Sequence, residues 1–357
     1  MPHIPSTMRA AVLSIPGGPE VLQIKDLPVP SPAPSEILIR IHTAGLNRSE
    51  LFTCRGDSGP AVPLPRVLGI ECVGTVAAEG SATSTPLKEG DIVATAMGGL
   101  GRTFDGGYAE YTCVPASHIA PFPANSDRIL GWPVLGAIPE MIQTAYGSLQ
   151  NALRFSRNET LLIRGGTTSV GLAAASLAKW MGAKHVIATS RSLTPDRVAL
   201  MKESGVDTVL QDSGSIAPEI QALFSSLHAN DSTPDGGGCV VGVDKVLELV
   251  GITTLRDSLL CARKGGIVCV TGIVGNRWFF EKGTNPMEFI PSEVLLTTYS
   301  GGLDAVKETP FEEIVTEVMK GRVNVQVGRT FRLEDVVEAH TAMEENRVGG
   351  WGVLIMD

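Results

Sequence analysis

Leu161-Leu162-Ile163-Arg164-Gly165-Gly166-Thr167-Thr168-Ser169-Val170-Gly171 is the stretch that decides the fold. Its apolar start predicts a buried strand over 160–164. Gly165 and Gly166 predict a tight turn, and Val170, Ala174, Leu177, Ala178 and Met181 share one face of a helix over 169–182. Strand, glycine turn and helix are the setting that a dinucleotide-binding loop requires. Glycines let the backbone approach a pyrophosphate, and the unpartnered N–H groups of a helix start attract its charge. Gly166, Thr167, Thr168, Ser169 and Val170 would make that contact. The register departs from G-x-G-x-x-G at its middle glycine, where Thr168 stands. The competing reading of the loop alone is a doubly wound turn without a cofactor.

Working outward, further strands are predicted at 185–189, 207–210, 245–250, 266–271 and 294–300, with helices at 195–204, 216–228 and 252–263. This alternation predicts a parallel sheet covered by helices on both faces. Thr194-Pro195 reads as an N-cap followed by proline in the first turn. Asn230 to Gly238 reads as an exposed connector, and Pro139 opens a helix running towards Leu153. Upstream, residues 8 to about 136 carry short apolar runs, LGIECVGTV, DIVATAM and YAEYTCV, between Gly and Pro clusters. Ile37, Ile39 and Ile41 alternate along one of these strands. Such runs predict a β-rich, barrel-like domain beginning near Met8. Helices at 310–320 and 334–345 and a last strand, WGVLIM, complete it. The expected fold class is α/β, a doubly wound parallel sheet inserted in the β-rich domain. The expected domains are 1–138, completed by 303–357, and 139–302, with a small-molecule cleft between them.

Composition narrows the partners. With 357 residues and a net charge of −9, the overall field favours neither nucleic acid nor an anionic membrane. No apolar run reaches the roughly 18 residues of a spanning helix, and the N-terminus lacks a signal-peptide layout. Cys54, Cys72, Cys113, Cys239, Cys261 and Cys269 form no C-x-x-C pair. They read as reduced thiols of a cytoplasmic protein.

The second strand of the parallel unit ends at Ser190-Arg191-Ser192. An NAD-preferring unit places a carboxylate about 20 residues past its glycine loop, on the ribose 2′-hydroxyl. Here Arg191 holds that place, flanked by two hydroxyls, and Arg197 follows in the next helix. A guanidinium fork suits a 2′-phosphate, so the expected cofactor is NADP(H).

Several motifs in order, MRAAVL, HTAGLNRSELF, PRVLGIECVGTV, GGYAEYTCVPA, the 160–191 unit and LCARKGGIVCVTGI, carry a wider likeness. Through them the chain resembles the zinc-free quinone oxidoreductase branch of the medium-chain dehydrogenase/reductase superfamily. The resemblance implies a GroES-like domain, a Rossmann domain and a homodimer joined near Leu295 to Ser300. It also implies that Asn47 and Thr144 border the nicotinamide and its ribose. Val250-Gly251 and Gly272-Ile273-Val274 would line the same channel. Zinc-dependent relatives carry a cysteine ligand where Leu46-Asn47 stands, and a histidine in a G-H-E motif that reads Gly69-Ile70-Glu71 here. Their four-cysteine lobe is missing too, so no metal is expected, and Glu71 is left as a structural carboxylate.

Without a Lewis acid, hydride transfer favours an acceptor that already spreads the arriving charge, a quinone or an α,β-unsaturated carbonyl. The alternatives are a zinc-independent carbonyl or aldehyde reductase and an NADPH-binding protein without turnover. Relatives often carry tyrosines after the asparagine. Glu50 to Ser58 has none, so no proton donor is assigned. Phe52 and Trp278 are expected as apolar pocket walls.

Overall fold

The computed structural model describes residues 4–228 and 242–356, so the connector expected at Asn230 to Gly238 and Cys239 lie outside the described residues. The strands in chain order are β1 Thr7–Leu13, β2 Leu22–Pro28, β3 Glu36–Gly45, β4 Arg66–Val67, β5 Glu71–Glu79, β6 Ile92–Ala96, β7 Tyr111–Pro115 and β8 Ala120–Pro121. They continue as β9 Thr160–Arg164, β10 His185–Ser190, β11 Thr208–Gln211, β12 Val243–Glu248, β13 Ala262–Val270, β14 Leu295–Thr298, β15 Val327–Arg332 and β16 Trp351–Ile355. The longer helices are α1 Arg48–Arg55, α2 Pro139–Gly147, α3 Ser169–Trp180, α4 Pro195–Glu203, α5 Ala217–His228, α6 Ile252–Cys261, α7 Phe311–Met319 and α8 Val336–Glu344. The chain divides into two compact units, residues 1–143 with 301–357, and residues 144–300.

In the second unit six strands pair in the order β11-β10-β9-β12-β13-β14, every neighbouring pair parallel. Counted from β9 this is 3-2-1-4-5-6, the doubly wound Rossmann order that the alternation predicts. β9 lies at the centre and every residue of Thr160–Arg164 is buried, as a strand covered on both faces requires. Leu162, Ile187, Val246 and Val268 from four strands pack with Ile220, Phe224, Leu255 and Leu259 from α5 and α6. The strand order reverses between β9 and β12. Crevices at such reversals, beyond the carboxyl ends of the strands, are where these sheets bind ligands.

The first unit holds two sheets. One is three-stranded, β2-β1-β4, and antiparallel. The other runs β15-β16-β3-β5-β6-β8, with β7 also pairing β3. Ile37, Ile39 and Ile41 are buried as their alternation predicts, but so is Leu38. The core therefore reaches both faces of β3, and register shifts at Leu38/Ile39 and Ile41/Thr43 bend the strand. β15 and β16 pair in parallel, and α8 lies between them in sequence. The sequence reading omits β15 because its burial is mostly solvent-facing, with only Phe331 fully covered.

The five described cysteines are free thiols, and all but Cys113 are buried. Burial pushes the Cys54 thiol up to about 11. No helix among the described residues is long and apolar enough to cross a membrane.

Candidate functional site

In the second unit, the glycine turn lies between β9 and α3. Gly165 has φ +93°, the left-handed region that glycine enters without strain. At Gly166 an added Cβ would sit 2.6 Å from the Ala188 Cβ, so only glycine lets the turn close on β10. The Gly166 N–H donates to the Thr189 carbonyl at 2.8 Å, and the Gly165 N–H to Thr189 Oγ1 at 3.2 Å. Thr168 is the N-cap of α3, its Oγ1 accepting the Gly171 N–H at 3.1 Å. The threonine in place of the expected middle glycine thus caps the helix that the pyrophosphate would face. Ser169 and Val170 begin that 12-residue helix, and its N-terminal dipole favours an anion there.

The end of β10 is shaped by Ser190. Its Oγ donates to the Ser192 carbonyl at 2.9 Å and accepts the Ser192 N–H at 3.4 Å, closing a tight turn around Arg191. Arg191 is exposed and forms no ion pair with a described residue. Arg197, in the first turn of α4, is exposed as well. Arg191 directly follows β10, the strand that the glycine turn touches through Thr189.

The loops after β12 and β13 are laced together. The Val274 N–H donates to the Leu249 carbonyl at 3.2 Å, and the Gly275 N–H to the Val250 carbonyl at 2.9 Å. A Cβ on Gly272 would meet the Leu249 carbonyl at 2.6 Å. Val250, Gly272, Ile273 and Val274 therefore come together. Buried Glu248 braces them, accepting the N–H groups of Val250 and Gly251 at 2.7 and 2.9 Å. Thr144 lies on α2. Its carbonyl accepts from Ser148 Oγ at 2.6 Å, and Ser148 Oγ meets Thr271 Oγ1 at 2.9 Å. One turn of π-helix, Ser148–Ala152, continues α2 there.

In the first unit, Asn47 is the N-cap residue of α1, but its side chain does not cap. Instead Asn47 Nδ2 donates to Glu71 Oε1 at 2.8 Å, and both residues are buried. Glu71 Oε2 accepts the Glu140 N–H in the first turn of α2, also at 2.8 Å. The division between the units falls inside α2, after Gln143, and this bond holds its first turn in the first unit. Burial pushes the Glu71 carboxyl well above the usual carboxylate range, and the Glu140 charge adds to this. The two N–H donors and the start of α2 oppose the rise.

Glu50, in the first turn of α1, accepts the Ile70 N–H at 3.0 Å, and its Oε2 is buried without a partner among the described residues. Burial raises it to about 7 from an ordinary 4.5. A carboxyl whose folded pKa lies above its unfolded value favours the fold fully below the unfolded pKa. That contribution is lost as pH rises through the folded one. Glu50→Gln should therefore stabilise the protein at pH 8, by up to roughly 3 kcal/mol, and not at pH 4. Thermal melts of both proteins at the two pH values check this, and an equal shift at both would rule out the titration.

Phe52 lies half-buried on helix α1, not in a loop, with the Arg55 guanidinium 5.3 Å from its ring centre. Trp278 lies in the second unit and is exposed, as are Phe279 and Phe280. Among the described residues no group of three or more His, Cys, Asp or Glu is placed to share a metal ion. A groove of about 740 Å³ between β8 and α7 contains none of the expected site residues. The sequence reading misses Glu50 and Arg164. Arg164 carried a signal, a charge within an otherwise apolar strand.

Two family models match the chain. One is the alcohol dehydrogenase GroES-like domain, over residues 33–124. The other is described as zinc-binding dehydrogenase, over residues 169–310. Human quinone oxidoreductase is 29% identical over 355 residues, covering 97% of this chain and 95% of that protein. A mycobacterial protein solved in complex with NADPH is 26% identical with a TM-score of 0.80, covering 98% of this chain and 99% of that one. An NAD-dependent alcohol dehydrogenase structure is 28% identical with a TM-score of 0.82, covering 98% of this chain and 100% of that one.

Proposed function

Because the chain belongs to the medium-chain dehydrogenase/reductase superfamily, as a quinone oxidoreductase-like member, we propose that it is an NADPH-dependent reductase of quinones or activated alkenes that works without zinc. The observation that carries the reading is the Ser190–Ser192 turn, which holds Arg191 exposed at the end of β10, the strand on which the glycine turn closes. When bound, NADPH supplies a hydride. The residues that would hold it are Gly166 to Val170 at the pyrophosphate, and Arg191, Ser190 and Arg197 at the 2′-phosphate. Val250, Gly272, Ile273, Val274, Thr144 and Asn47 would hold it at the nicotinamide end. The fit rests on the start of α3, which Thr168 caps just beyond the glycine turn, and on the buried Asn47 Oδ1, which has no partner among the described residues.

The zinc in the second family's description is not carried over. The expected ligand positions hold Asn47 and Ile70, and an isoleucine cannot bind a metal. The chain's own groups then do three things: orient the acceptor, exclude water, and offer hydrogen bonds to an oxygen that gathers charge. An acceptor that delocalises that charge needs the least help, which favours a quinone or enone over a simple ketone.

An NADPH oxidation assay over quinones, enones and aldehydes, with product analysis, tests the reading. Saturated ketones or hydroquinones support it. Alcohols as the sole products would make the protein a carbonyl reductase. Tight NADPH binding with no oxidation across the panel would make it a binding protein without turnover.

A homodimer belongs to the same reading. β14 is the outermost strand of its sheet, and an uncovered edge invites a second strand. Nearby in sequence Phe279 and Met287 are 83% and 88% exposed. Leu295→Arg should shift the protein from dimer to monomer in sedimentation equilibrium, with its melting transition retained. A parent protein that is monomeric would end this part of the reading.

A further inference from the structure

We propose that Glu71 is the positioning residue of the site: its carboxylate fixes the Asn47 amide so that Oδ1, an acceptor, is the end turned to the bound nucleotide. The inference rests on the reading that Asn47 meets that nucleotide. An asparagine amide can turn over and exchange its donor and acceptor ends, so something must choose between them. Glu71 Oε1 accepts Asn47 Nδ2 at 2.8 Å, and that bond sets which end of the amide faces the carboxyl group. Glu71 cannot turn away, because Oε2 is held at 2.8 Å by the Glu140 N–H. Gly45 completes the seat: a Cβ there would lie 2.0 Å from Glu71 Oε1. Asn47 Oδ1 is left buried and without a partner among the described residues, which is the state of an acceptor awaiting a donor.

The choice can be inverted chemically. In Glu71→Gln the oxygen of the new side chain takes the Glu140 N–H, and its amino group faces Asn47. Asn47 must then turn its oxygen to position 71 and present its amino group instead. In the double variant N47D/E71Q, one carboxylate oxygen accepts from the glutamine and the other restores the acceptor.

The experiment measures the NADPH dissociation constant by fluorescence titration, kcat and KM for a quinone, and the melting temperature. Glu71→Gln should weaken NADPH binding and lower kcat by about 10- to 100-fold with no loss of melting temperature. N47D/E71Q should recover most of both. Gly45→Ala, which pushes the carboxylate from its seat, should lower binding as Glu71→Gln does. Wild-type binding in Glu71→Gln, or a double variant no better than the single one, would overturn the proposal. If Glu71→Gln does not fold, the double variant decides: folding with near wild-type affinity supports the proposal, and failure to bind overturns it. Asn47→Ala separates this inference from the reading beneath it. Unchanged binding and turnover there would end both, whereas a damaged Asn47→Ala beside an intact Glu71→Gln would end this one alone.

Discussion

Arg191→Ala should lower the affinity for NADPH by about 10- to 150-fold and leave the affinity for NADH nearly unchanged. A hydrogen bond to a charged group contributes about 1.5–3 kcal/mol, and every 1.4 kcal/mol is tenfold in binding. Nothing in the fold depends on this side chain. It is exposed, it pairs with no described residue, and its turn is closed by the Ser190 hydroxyl. The melting temperature should therefore stay within a degree or two, which separates a ligand contact from a structural one. Arg191→Lys should recover only part of the loss, because an ammonium cannot present the planar fork. Titrating both nucleotides against the three proteins measures this. A variant that keeps NADPH as tightly as the parent would move the 2′-phosphate contact to another cation, with Arg197 the next to test.

Arg191 was legible because its position follows from counting along one strand–turn–helix–strand unit, where every contact is local. The same holds for β9 to α3, whose bounds at Thr160, Arg164 and Ser169 fall where the periodicity and the glycines put them. The first unit was less legible. β3 pairs with β5, β7 and β16, and the last of these lies some 300 residues away, so no local pattern encodes the order. β15 was not expected because an edge strand with Thr330 and Arg332 turned to solvent carries little apolar signal. Glu71 was readable as a structural carboxylate, but not its partners. They come from α1 and from the start of α2, 24 and 69 residues away.

Arg164→Met should destabilise the protein by about 3–5 kcal/mol, the usual loss when one member of a buried ion pair is removed. Arg164 is fully buried at the end of β9. Its guanidinium donates to Asp212 at 2.5 and 2.8 Å, to Asp257 at 2.6 Å and to the Gly214 carbonyl at 3.1 Å. Asp257 in turn accepts the N–H groups of Ile216 and Ala217 at the start of α5, so one cation joins β9 to the β11–α5 connection. Lysine offers one point charge and cannot span both carboxylates, so Arg164→Lys should recover little. The loss should also reach the nucleotide turn. Thr189 Oγ1 donates to Asp212 at 3.2 Å and accepts the Gly165 N–H, so loosening Asp212 loosens the turn. Urea unfolding measures the loss, and its pH dependence identifies the cause. Burial alone would raise Asp212, but the hydrogen bonds and charge of Arg164 outweigh it and hold the carboxyl below its usual range. A depressed carboxyl contributes stability above its unfolded pKa and loses it as pH falls through the folded value. The gap between wild type and Arg164→Met should therefore be full at neutral pH and shrink on acidification below about pH 4. Adding Asp212→Asn and Asp257→Asn to Arg164→Met should recover part of it at neutral pH, since no buried charge is then left unpaired. A gap that neither acid nor these two substitutions narrow would assign the loss to packing of the arginine stem rather than to its charge.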